Sequence, residues 1–178
     1  MDIENCSVPW KSILLSPAVW AIVTAHFCLL WEFYIFLTTL PTYIKTVLGI
    51  DLLATGFLSS LPYIVMTGIL YLSGFTSDFV IAKMFCSTTC IRKFCVCAGF
   101  LLQAIFTVSV GYTTSQNTAV ICLTFGVGMT GLVWSGLGVN MIEIAPRYAG
   151  LLMGISNCIA TVPGIVGPLI AGALTPNE

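Results

Sequence analysis

Charge is what this sequence has least of. Six Lys and Arg, seven Asp and Glu and a single His are spread over 178 residues, so 7% of the chain is charged. Ordinary globular domains carry about 25%. So few ionic side chains cannot cover a water-soluble fold of this size. The net charge of −1 also supplies no basic field for nucleic acid. With one histidine there is no HExxH, and no nucleophile–base set or paired carboxylates share an apolar run. An enzyme, a resident cofactor and a metal are therefore not expected. The first sixteen residues, MDIENCSVPWKSILLS, lack the apolar core of a signal peptide, so insertion is expected to rely on internal spans.

What is abundant is apolar surface: 58% of residues are hydrophobic, with a mean hydropathy of +1.03. A helix needs about 20 apolar residues to cross a bilayer. Five runs qualify, at about 18–40, 55–77, 94–112, 119–142 and 149–174. The expected fold is an all-α integral membrane bundle (18–174) behind a short lead-in (1–17) and before a short tail (175–178). Lys11, Lys83, Arg92, Lys93 and Arg147 fall on one side of such a bundle, and Lys45 alone on the other. The positive-inside rule puts the basic side, with the N-terminus, in the cytoplasm. The Asn5-Cys6-Ser7 sequon is then on the wrong side for glycosylation.

Two patterns invite over-reading. Cys86, Cys90, Cys95 and Cys97 cluster, but CxxxC followed by CxC without histidine fits no zinc spacing. Reduced thiols, with palmitoylation as an option, suit a cytoplasmic face. Cys28, Cys122 and Cys158 read as small packing residues. Gly126-Val-Gly128-Met-Thr-Gly131 fits G-x-G-x-x-G but lies inside an apolar span, where close helix approach, shared with Gly136 and Gly138, is the sounder reading. Gly150 and Gly154 read likewise.

The stretch AHFCLLWEFYIF (25–36) is more unusual, because it sets His26 and Glu32 in the first span. With the span centred near Leu29, each lies about 4.5 Å from the midplane. A charge there costs at least about 2.5–3.5 kcal/mol. Glu32 escapes that cost by carrying a proton, and histidine titrates near neutrality. Both are proton-coupling candidates, with a neutral packing role as the alternative for His26. Six residues put them about 240° apart around the helix, so they do not form a same-face pair.

Further stretches carry a family resemblance. Gly74-Phe-Thr-Ser-Asp78, followed by Lys83 and Arg92-Lys93, resembles the GxxxD-and-basic signature of major facilitator transporters. LPTY (40–43), GFLSSLPY (56–63) and EIAPRYAGLLMGISN (143–157), with PWKS and ATVPGIVGPLIAGALTP, are similar to the anion transporters of solute carrier family 17. GFLSSLP and ATVPGIVGP resemble the sialic acid (sialin) branch most closely. The resemblance implies a twelve-helix fold of two six-helix halves, of which this chain matches helices seven to eleven. A first half and a last helix are then missing partners, leaving a C-terminal fragment.

The expected function is part of a proton-coupled secondary transporter of organic anions, sialic acid or related acidic sugars, in a lysosomal, vesicular or plasma membrane. Phosphate or urate is the next substrate class. Glutamate follows, because Leu29 stands where the glutamate branch has an arginine. A non-transporting fragment acting through helix pairing is the reading from another class. Tyr34, matching the family's Phe-Tyr pair, together with Ser135, Asn140 and Asn157, are the substrate-binding candidates. Asp78 with Arg92 or Lys93, and Glu143 with Arg147 across Pro146, are expected gate or anchoring pairs.

Overall fold

The computed structural model describes residues 8–174; the Asn5 sequon and the 175–178 tail lie outside the described residues. Every helix or strand assigned among the described residues is helical. A short α1 (Trp10–Leu14) leads into α2 (Pro17–Thr46), α3 (Leu52–Ala82) and α4 (Thr88–Val110). Then come α5 (Gln116–Gly128), α6 (Thr130–Ile144), a 3-10 turn at Pro146–Tyr148, α7 (Ala149–Ala160) and α8 (Val162–Leu174). Five stretches are long and apolar enough to cross a membrane: Pro17–Thr46, Leu53–Ala82, Thr88–Val110, Gln116–Ile144 and Pro146–Leu174. The first two run well beyond the apolar windows seen in the sequence.

The helix ends follow local chemistry. Pro17 opens α2 at a position where its missing N–H costs nothing. Gly49 turns the chain at φ +66°, and Asp51 then caps α3 by accepting from the Ala54 N–H at 3.4 Å. Ser87 does the same for α4, accepting from Cys90. The fourth span is interrupted at Met129, within its glycine run. The fifth breaks at Thr161, just before Pro163, which has no N–H to continue the ladder.

The α5–α6 span is the central pillar: 61% of its most apolar window is buried, against 6% for α3. Its glycines allow this. A side chain at Gly131 would collide with the Met66 carbonyl of α3, and a Cβ at Gly136 would sit 2.7 Å from the Arg92 carbonyl of α4. Gly150 and Gly154, by contrast, face open space, so the expected close approach there is not made. Leu29 of α2 is fully enclosed with Val133, Leu137 and Met141 of α6. Leu40 and Ile44 pack on Ala119 and Leu123 of α5. Along α3, Leu53, Phe57, Ile64, Leu72 and Phe75 face outward, as a lipid-facing surface requires.

Candidate functional site

The basic end of the bundle is held by one arginine. Arg92, in the first turn and a half of α4, is buried, with 5% of its side chain exposed. Its Nε and Nη2 donate to the two carboxylate oxygens of Glu143 at 3.2 and 2.9 Å. Nη1 donates to the Ser135 carbonyl at 3.4 Å, and Asp78 of α3 lies 3.6 Å away. This fork ties the ends of α3, α4 and α6 together, and the two-point geometry is the strong form of such a pair. Of the two cations expected beside Asp78, it is Arg92 that the fold turns inward; Lys93, one residue on, is exposed.

The expected Glu143–Arg147 pair is not made. The helix ends at Ile144, Ala145 leaves helical geometry (φ −150°, ψ 79°), and Pro146 starts the 3-10 turn. The i, i+4 spacing therefore no longer places the two on one face. Arg147 lies over the Tyr148 ring instead, 6.0 Å from its centroid.

His26 is fully buried. Its Nδ1 is 2.7 Å from the Ser156 hydroxyl of α7, and its ring meets the edge of Trp134 of α6 at 5.3 Å between centroids. Its Nε2 is enclosed without a hydrogen-bond partner. Glu32 lies at the middle of α2, because the helix runs to Thr46, which puts His26 about 9 Å toward the basic end. Glu32 is half-buried and meets the side chain of Gln103 on α4. No cation pairs with it among the described residues. The two groups thus address different helices, as their angular separation requires.

The four substrate-binding candidates do not converge. Tyr34 presses its ring on Gly164 of α8, where a Cβ would be 3.0 Å away. The Ser135 hydroxyl donates back to the Leu132 carbonyl at 2.8 Å. Asn140 is half-buried and Asn157 exposed. Ser135 does line a cavity of about 460 Å³ at the basic end, together with Asp78, Arg92 and Trp134. A second cavity, of about 570 Å³, lies toward the opposite end between α2, α4, α5 and α8, lined by Thr38, Thr39, Thr42 and Thr107.

Sequence reasoning missed Gln103, Thr130, Ser156 and Trp134. Gln103 had a signal, as the one amide in the apolar run of α4. Cys95 is buried with its sulfur 3.4 Å from the Ser77 hydroxyl, while Cys86, Cys90 and Cys97 are exposed. Among the described residues, no group of three His, Cys, Asp or Glu is placed to hold a metal ion.

Comparison with known proteins completes the picture. The profile described as Major Facilitator Superfamily matches residues 3–175. Vesicular glutamate transporter 2 of Homo sapiens and of Bos taurus are each 41% identical over 175 residues, 98% of this chain. Vesicular glutamate transporter 1 of Xenopus tropicalis is 43% identical over 170 residues, 96% of the chain. The chain spans about 30% of the length of these curated relatives. Their names point to glutamate, the substrate the sequence reading placed behind sialic acid and phosphate, and give sialic acid no support.

Proposed function

The chain belongs to the major facilitator superfamily, and from that premise we propose that it forms part of a secondary transporter of organic anions, of the solute carrier 17 type, working by alternating access. Glutamate, or an anion carrying similar carboxylates, is the substrate this reading favours. The observation that carries it is identity of 41–43% to vesicular glutamate transporters across nearly the whole chain. GFLSSLP and ATVPGIVGP keep sialic acid as the alternative.

In this reading α2 handles protons, through Glu32 at its middle and His26 nearer the basic end. The Arg92 fork is a latch at the basic end, of the kind that breaks and re-forms as helices rock. An anion needs a counter-charge, and Arg92 is already bound by two carboxylates. The substrate's cation is therefore expected from outside these residues, with Tyr34, Ser135, Asn140 and Asn157 offering hydrogen bonds at most. The vesicular relatives favour an intracellular vesicle membrane over the lysosome.

Vesicles bearing the native protein should accumulate labelled glutamate ahead of sialic acid and phosphate under imposed proton and voltage gradients. Sialic acid uptake without glutamate uptake would overturn the substrate.

A further inference from the structure

Between α3 and α4, at the basic end, thiols, cations and bare apolar side chains meet at the edge of the spans. One span stops at Ala82 and the next begins at Thr88. Lys83, Met84, Phe85, Cys86 and Ser87 between them are all exposed. Met84 is 89% exposed and Phe85 73%, so neither is packed into the protein. Cys90 is exposed in the first turn of α4, close to exposed Lys93 and Phe94. Lys83 lies 5.8 Å from the centroid of the Phe79 ring, itself on the outer side of α3. Apolar side chains that no protein group covers favour the boundary between headgroups and acyl chains, and cations beside them favour anionic headgroups. Cys86 and Cys90 therefore ride at a depth where a fatty acyl chain can enter the bilayer while its carbonyl stays at the surface.

We propose that Cys86 and Cys90 form an S-acylation site for long-chain fatty acids. The donor is a fatty acyl-CoA thioester, brought by a membrane acyltransferase. The cysteine sulfur, once deprotonated, attacks the acyl carbonyl. A new sulfur–acyl bond forms, the acyl–sulfur bond to CoA breaks, and the departing CoA thiolate takes up the proton. Nothing is oxidised or reduced. The proposal rests on the cytoplasmic placement of the basic end, where acyl-CoA is supplied, and is independent of the substrate carried. An acyl chain here fixes the start of α4 to the inner leaflet, just before the Arg92 that grips Glu143.

Position separates these two thiols from the others described. Cys95 is buried against the Ser77 hydroxyl. Cys97 is exposed, but about 10 Å further into the span than Cys90. Cys28 and Cys158 are likewise exposed inside spans. Thiols at that depth lie in the hydrocarbon region, away from the interface where the thioester exchange takes place. Metal binding is the competing use of clustered thiols, and among the described residues no three His, Cys, Asp or Glu are placed for it.

The test is made on the full chain purified from eukaryotic cell membranes, with free thiols blocked by maleimide. Hydroxylamine then cleaves any thioester, and the thiols it frees are tagged. Trypsin cuts after Lys83 and after Arg92, so the 84–92 peptide, MFCSTTCIR, carries Cys86 and Cys90 and no other cysteine. The tag is expected on that peptide only after hydroxylamine, and is expected to be lost completely from it in Cys86→Ser/Cys90→Ser. Cys28, Cys97 and Cys158 are expected to take none. A peptide from the native chain with both thiols maleimide-blocked, or joined as a disulfide, overturns the proposal, and so does a tag confined to Cys28, Cys97 or Cys158. The decisive reading comes from the native chain, so it does not depend on how the variant folds.

Discussion

The basic end and the deeper interior of this bundle treat buried polarity in opposite ways. At the basic end, Arg92 is enclosed yet fully engaged, by both oxygens of Glu143, by the Ser135 carbonyl and by Asp78. Deeper in the bundle, His26 Nε2 and Gln103 Oε1 are enclosed without a hydrogen-bond partner. Water is close to the first region and supplies what protein groups do not. A fully satisfied buried network rigidifies the elements it joins. The contrast is the ground for the proposal that Arg92 holds one end while α2 responds.

The largest expected effect breaks the holding end. Glu143→Ala leaves a buried guanidinium with only Asp78 at 3.6 Å and the Ser135 carbonyl at 3.4 Å. It should cost about 2–4 kcal/mol, below the full cost of breaking a buried pair because Glu143 is 35% exposed. Thermal unfolding in micelles measures it, and an unchanged midpoint would erase the difference between the two regions. Gly131→Ala forces a methyl against the Met66 carbonyl and should cost about 1–3 kcal/mol by the same assay. That separates the packing of the pillar from the ionic latch. Ser156→Ala removes the one hydrogen bond of His26 and should cost about 1 kcal/mol. The proton-handling reading of His26 predicts an altered pH profile of transport as well, which Glu143→Ala should not produce. Arg147→Ala, next to the latch in sequence but outside it, should change stability by less than about 0.5 kcal/mol. A loss as large as that of Glu143→Ala would restore the pairing that the break at Ala145 excludes.

Much of the fold was legible because a bilayer imposes length and polarity together. Five apolar runs separated by most of the few charges could hardly fold otherwise. The glycines of α5–α6 announced close approach, though not that Gly150 and Gly154 would face open space. The polar constellations were less readable. Spacing on one helix suggested Glu143 with Arg147, but the partner came from 51 residues away once the backbone left the helix at Ala145. His26 and Glu32 were legible as buried ionisable groups. Their partners, Ser156 and Gln103, were set by how α7 and α4 dock, which no periodicity encodes. Substrate identity was the least readable of all. Leu29 argued against glutamate by its identity, yet it is a core residue packed on α6, while the matched relatives carry the glutamate name.

The account turns on α2 handling the proton at Glu32, and one substitution addresses that most directly. Glu32→Gln keeps the shape and the contact with Gln103 but cannot ionise. In the native transporter it should preserve folding and abolish the dependence of uptake on external acidity. Uptake that keeps its acid dependence in a folded Glu32→Gln protein would contradict the assignment.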